Sequence, residues 1–291
     1  MLLRTFLCAG ALCLFMPVIH SEDLHSEDFK AIEYGQAGKV ALRLDAHIPD
    51  GRGPFAAAIV VHGGAWVAGD RINSVRPLLD PLSDAGIAWF SISYRLAADV
   101  ARNPIGAAMQ MGTAESDVRR AVAYVKEHAS EYRVNPNKIV LIGESAGGQL
   151  AAMAALRPDA DGAVQGVVAF YTPSDLATLV RTSSFIPDNV RDAVKGTMFD
   201  SILMAGLTEF SPINAVSAAS PPFLLIHGTD DNVVPFAQSE RFCDKLRESN
   251  VGCEIYPVKG GAHGIRSWEY AKLTDYKRPM VRWIEKVLAK P

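Results

Sequence analysis

The sequence is short of charge, and neither sign dominates. Charged residues make up 21% of its 291 positions and the net charge is −3 at pH 7. Nucleic acid and anionic membrane surfaces both call for a basic face, so neither partner is expected. Cysteine is also scarce, with four in the chain, which excludes a small fold held mainly by disulfides. No cluster of His, Cys, Asp or Glu has metal-ligand spacing, so neither a metal nor another cofactor is expected. There is no internal repeat and no low-complexity tract. No apolar run reaches the ~20 residues of a membrane span, so stable membrane insertion is not expected. What is present in quantity is apolar: 49% of residues are hydrophobic, enough for a sizeable core without staples.

The longest apolar stretch lies at the start. Arg4 is the only charged side chain before Glu22, and residues 5–19 carry Leu7, Leu12, Leu14, Phe15 and Val18. A short basic start and then an apolar stretch of about 15 residues reads as an export signal. The expectation is cleavage after Ser21 and a periplasmic or extracellular mature protein. Lipidation at Cys13 and an uncleaved anchor are the alternatives. Residues 22–291 would then be a single α/β domain. Cys243 and Cys253 remain in it. An exported protein can join them; otherwise they are two small buried hydrophobes.

Strand-like and helix-like segments alternate along the rest of the chain, which argues for a mainly parallel sheet with helices on both faces. Apolar runs at 57–61, 87–92, 138–142, 164–170, 223–226 and 254–258 are the strand candidates, and their near-continuous hydrophobicity fits burial on both faces. Residues 40–48 alternate more cleanly and predict an antiparallel strand near the edge. Helices are expected over 113–130, with Thr113 as N-cap, and over 146–156, 236–249 and 276–288. Between 174 and 221 the alternation stops. That stretch is too long for a connection and too apolar for disorder, so a small helical cap is expected over about 175–210.

Gly143-Glu144-Ser145-Ala146-Gly147 fits G-x-S-x-G, a pattern weak by itself. Its setting strengthens it: a strand candidate ends just before it and a helix candidate begins just after, which is the turn that lifts a serine above a sheet. A serine hydroxyl needs a base. Of the seven histidines, only His227 and His263 follow Ser145. His263 lies in the glycine-rich segment Gly260-Gly261-Ala262-His263-Gly264, directly after the last strand candidate, and is the expected base. The acid should lie beyond a strand between the two, where Asp230 and Asp231 stand; Asp231 is preferred, with Asp230 open because spacing cannot separate neighbours. His62-Gly63-Gly64-Ala65-Trp66 follows the first buried strand, and its glycines free backbone N–H groups for an oxyanion. This loop lacks the G-x-G-x-x-G and G-K-S/T spacing of nucleotide sites.

Together these residues resemble the α/β-hydrolase superfamily, and most closely its hormone-sensitive-lipase-like and bacterial acetyl- or feruloyl-esterase-like branch. The resemblance rests on residues 62–66, Ser93-Tyr94-Arg95-Leu96, residues 143–148, His227-Gly228-Thr229-Asp230-Asp231 and residues 261–264. It implies an α/β-hydrolase fold and a serine esterase. It favours Asp231 as the acid and makes the N–H groups of Gly64, Ala65 and Ala146 the oxyanion donors. Ala65 departs from the third glycine usual in the branch. Kynurenine-formamidase-like enzymes share the His-Gly-Gly-x-Trp form, so an amidase or formamidase is the alternative, and a non-catalytic binding protein on the same fold is another. Asp117 resembles a structural helix residue and receives no chemistry. The expected substrate is a small ester with a short or small aromatic acyl group, a carbohydrate alcohol being one option. Trp66 and Phe199 are the candidates to limit acyl length.

Overall fold

The computed structural model describes residues 25–97, 104–182 and 195–289, with the side chains of 104–110 and of Phe199 outside the description. The expected export signal, residues 1–21, and residues 183–194 of the expected cap also lie outside it.

One eight-stranded sheet runs through the molecule. Its strands are β1 (Glu27–Ala37), β2 (Val40–Ile48), β3 (Phe55–Val61), β4 (Ala88–Ile92), β5 (Val134–Glu144), β6 (Gly166–Phe170), β7 (Phe223–Gly228) and β8 (Cys253–Val258), in the order β1-β2-β4-β3-β5-β6-β7-β8. The β1–β2 and β2–β4 pairs are antiparallel and the others parallel. The helices are α1 (Arg76–Asp84), α2 (Pro104–Glu127), α3 (Ala146–Leu156), α4 (Leu176–Thr182), α5 (Met198–Glu209), α6 (Pro212–Ala215), α7 (Ala237–Glu248), α8 (Ile265–Tyr270) and α9 (Lys277–Leu288).

The apolar runs become strands because successive side chains point to opposite faces, and both faces are covered. Ala57, Ile59 and Val61 of β3 join the core that α2, α3 and α7 close with Val118, Val122, Leu150, Phe242 and Leu246. Ala58 and Val60 join the opposite core, closed by Leu78 and Leu82 of α1, Trp268 of α8, and Met280 and Ile284 of α9. Every residue of α3 is buried, and its small side chains let it lie close to the sheet.

Parallel register decides where the chemistry collects. Val61 pairs with Gly143, Glu144 with Phe170, Phe170 with Ile226, and Gly228 with Val258. The carboxyl ends of β3, β5, β6, β7 and β8 therefore finish side by side, and the loops leaving them meet at one rim.

Helix α2 and strand β1 differ from the sequence expectation. Helix α2 begins at Pro104, so Thr113 is inside it and is no N-cap; a proline suits the first helical turn, where its missing N–H costs nothing. Strand β1 carries a charged, half-exposed pattern with two register shifts and buries only Tyr34. An antiparallel edge partner of this kind leaves almost no apolar alternation to read. The cap region is helical, as α4 and α5, between β6 and α6. Among the described residues no helix is long and apolar enough to cross a membrane.

Candidate active site

Ser145 sits at the tight turn between β5 and α3, at φ 52° and ψ −121°. A non-glycine residue is rarely held there, and such strain concentrates at functional sites. The turn closes only around glycine: a Cβ on Gly147 would meet the carbonyl oxygens of Val61 and His62 at 2.3 Å. The Ser145 N–H donates to Phe170 O at 2.9 Å, tying the turn to β6.

Ser145 Oγ lies 3.0 Å from His263 Nε2, and His263 Nδ1 lies 2.7 Å from Asp231 Oδ2. The nucleophile candidate, base candidate and acid candidate thus form one hydrogen-bonded line. Asp230 does not enter it: its side chain is exposed and accepts from Thr229 Oγ1, while Asp231 is buried. The other Asp231 oxygen accepts the N–H groups of Val233 and Val234, both at 2.9 Å. Burial works to raise the Asp231 carboxyl, but hydrogen bonds from His227, His263 and Val234 outweigh it and hold the group well below the usual carboxylate range. The His227 contact is the longest of these, 3.5 Å from Nε2 to Oδ2. That Nε2 also lies 2.9 Å from Val234 O, so it carries the proton, and Nδ1 accepts from Ser239 Oγ at 2.7 Å. His227 is therefore locked in the wall behind Asp231.

The histidine loop is held from several sides. Trp268 Nε1 donates to Ala262 O at 2.6 Å, Asp230 N–H to Gly261 O at 3.0 Å and Gly260 N–H to Thr229 Oγ1 at 2.9 Å.

Opposite stands the loop after β3. Gly64, Ala65 and Trp66 all have positive φ, at 115°, 50° and 62°. A Cβ on Gly64 would meet Ala68 O at 2.1 Å, so glycine is required there. Among the described residues no acceptor takes the N–H groups of Gly64, Ala65 or Ala146. Ala146 directly follows Ser145 in the chain, and Gly64 lines the same cavity as Glu144, the residue before Ser145. His62 underpins the loop. Its ring stacks on Tyr94 with centroids 4.4 Å apart, and Nδ1 lies 2.8 Å from Gly63 O. Burial lowers its basicity, which favours the neutral ring.

Trp66 joins this loop to the cap. It packs against the buried cluster of Met111, Leu176 and Leu207, the last two from the cap helices α4 and α5, and its Nε1 donates to Gln149 Oε1 at 3.0 Å. Gln149 in turn donates to Phe210 O at 2.8 Å. Phe199, the other expected pocket residue, is the second residue of α5, and its side chain lies outside the described residues. A cavity of about 190 Å³ opens between the two loops, lined by Gly63, Gly64, Ser74, Glu144, Gly264, Ile265 and Arg266.

Three participants escaped sequence reasoning, Glu144, Gln149 and Tyr171, while His227, weighed there against His263 as the base, is instead a partner of Asp231. Glu144 fills the variable position before the serine. Gln149 is the one strongly polar side chain in an otherwise small and apolar helix, which is a visible signal. Tyr171 extends an apolar run, and nothing local marks it. Asp117, given no chemistry, pairs in two-pronged fashion with Arg95, at 2.8 Å to Nε and 2.6 Å to Nη2, and is fully buried. Among the described residues no group of His, Cys, Asp and Glu gathers as metal ligands.

A model of the BD-FAE family matches residues 44–246. The chain belongs to that family. It is 32% identical over 250 residues to a probable carboxylic ester hydrolase, LipM, of Mycobacterium tuberculosis, a match covering 82% of this chain and 55% of that protein. The chain spans about half the length of the curated relatives it matches. Among solved structures it is similar to a truncated carbohydrate esterase from gut microbiota, at 25% identity and TM-score 0.72, covering 93% of this chain and 99% of that one. A propionate-bound esterase from Thermogutta terrifontis shares the fold at 23% identity and TM-score 0.71, covering 90% and 96%. The mainly parallel sheet with helices on both faces is the α/β-hydrolase fold expected from the sequence.

Proposed function

We propose that the chain is a carboxylic ester hydrolase that works through an acyl-enzyme on Ser145. The observation that carries this reading is the line from Ser145 Oγ to His263 Nε2 at 3.0 Å and from His263 Nδ1 to Asp231 Oδ2 at 2.7 Å. The names of the BD-FAE chain's relatives support the same class.

In this mechanism Ser145 Oγ attacks the ester carbonyl while His263 Nε2 takes its proton. Asp231, ionised and fully hydrogen-bonded, holds the imidazole tautomer and offsets the imidazolium charge. The carbonyl oxygen becomes an oxyanion on the N–H groups of Gly64, Ala65 and Ala146. The alcohol leaves with the proton from His263. Water then attacks the acyl-Ser145 carbonyl and passes a proton to His263, which returns it to Ser145 Oγ as the acid is released.

The acyl group is a short chain or a small aromatic, and a carbohydrate is the alcohol we favour. Contact of Trp66 with the cap supports a short acyl site, and the similarity to a carbohydrate esterase supports the alcohol. The chain is exported, with a mature start near Glu22. The basic and then apolar start supports this, as does the bond between Cys243 and Cys253, which belongs to an oxidising compartment.

The test is a panel of p-nitrophenyl esters from acetyl to dodecanoyl, with acetylated xylan, methyl ferulate and N-formylkynurenine, run on wild type and Ser145→Ala. The variant should keep its fold and lose kcat by several orders of magnitude. kcat/KM should peak among the shortest chains and fall by about tenfold or more across several carbons. Near-normal turnover in Ser145→Ala ends the serine-hydrolase reading. A dodecanoyl preference ends the short-acyl one, and a preference for N-formylkynurenine turns it to a formamidase.

A further inference from the structure

The residue before Ser145 joins loops that do not otherwise share an element. Glu144 Oε1 accepts the Gly63 N–H at 2.8 Å, and Oε2 accepts the Tyr171 hydroxyl at 2.7 Å. The Tyr171 oxygen accepts the Ile265 N–H at 2.9 Å. Gly63 opens the oxyanion loop, and Ile265 lies two residues beyond His263. The Tyr171 ring also meets the His263 ring edge-on, with centroids 4.7 Å apart.

Donor counting fixes the protons. The Gly63 amide can only donate. The phenol oxygen already receives the Ile265 amide, so its single proton goes to Glu144. Both carboxylate oxygens are therefore acceptors, and an amide in their place would set an N–H against one of the two donors. Tyr171 is fully buried at φ 34°, a backbone conformation rare for a tyrosine. Burial, and then the Glu144 charge, push its phenol far above the usual range, so the hydroxyl keeps the proton it donates.

We propose that Glu144 and Tyr171 are positioning residues: a carboxylate–phenol bridge that fixes the oxyanion loop relative to His263. This role rests on the serine-hydrolase reading above. The Gly63 amide is the bridge's hold on the loop, and the free N–H groups of Gly64 and Ala65 follow it directly. Losing that hold lets those donors drift from the place where the oxyanion forms, and a misplacement of about 1 Å can cost roughly 100-fold.

Glu144→Gln keeps the shape and reverses one donor. It should lower kcat by about 10- to 100-fold, between a small displacement and loss of a donor. KM should stay within about threefold, since the interaction acts in the transition state. A trifluoromethyl ketone, which places a negative oxygen in the hole on Ser145, should lose affinity by a similar factor. Tyr171→Phe should act in the same direction. The double variant should be no worse than the poorer single one, because both break one bridge. If Glu144→Gln does not fold, Tyr171→Phe carries the same test. Folded variants with wild-type kcat and only a lower Tm overturn the proposal, as do losses that multiply in the double variant. A wild type that hydrolyses no ester removes the esterase reading itself, and this role with it.

Discussion

At Asp231 the geometry narrows to single oxygen atoms. Oδ2 faces His263 Nδ1 at 2.7 Å, and Oδ1 is occupied by two backbone amides. Asp230, one residue earlier, faces outward. An Asp231→Asn amide would keep the shape but favour the wrong imidazole tautomer, and in the Ser-His-Asp enzymes that change costs kcat about 10⁴-fold. Asp231→Asn should therefore lower kcat by that order with the fold retained, while Asp230→Asn should stay within a few-fold of wild type. Steady-state kinetics on one short-chain ester decides it, and equal losses in the two variants would reassign the acid. The pair also marks what a sequence carries at this scale. Ser145 and His263 are legible because each lies in its own glycine-rich segment after a strand. Which aspartate turns inward depends on the φ and ψ of a loop, and neighbouring residues of the same type give no pattern to separate them. Glu144 and Tyr171 are less legible still, since their partners lie 81 and 94 residues away in the chain.

Among elements, the buried strands and the amphipathic helices α7 and α9 were readable because their periodicity reports burial directly. Strand β1 and helix α1 were not. β1 buries too little, and α1 carries Pro81 in its interior, which reads as a helix breaker. The bond between Cys243 of α7 and Cys253 of β8, with Cα atoms 5.5 Å apart, was open from sequence because pairing depends on how two elements pack. It closes a short loop, and chain entropy puts its worth at about 3 kcal/mol. Cys253 starts β8, whereas the His263 loop leaves the opposite end of that strand. Cys243→Ser/Cys253→Ser should accordingly lower Tm, by roughly 2–4 °C per kcal/mol for a chain near this size, and leave kcat at 25 °C within about twofold, since no site residue loses a partner. Calorimetry with and without reductant checks the first part. A large loss of kcat in folded double variant would mean that the bond also holds the site.

Across the whole molecule, two buried carboxyls pull the pH dependence of stability in opposite directions. The folded Asp231 carboxyl is held below its unfolded value of about 3.9, so its contribution is present above that pH and is lost as pH falls through the folded value. Glu115 of α2 is the reverse case. It is 4% exposed, and burial raises its carboxyl above the ordinary value despite Arg119 at 3.6 Å and the nearby Arg157. Below about pH 4.3, the unfolded value, the proton is bound in both states and Glu115 costs nothing. As pH rises from there, the unfolded chain releases its proton first and gains on the folded state, until the folded carboxyl ionises in turn and the penalty levels off. Glu115→Gln removes the ionisation and keeps the volume. Its Tm should match that of wild type near pH 4 and exceed it at neutral pH and above, with the gap opening between those limits. Thermal unfolding of both proteins from pH 4 to pH 8 measures that gap. A variant less stable than wild type at pH 8 would show that the Arg119 pairing outweighs the burial of the charge, and would overturn the sign assigned to Glu115.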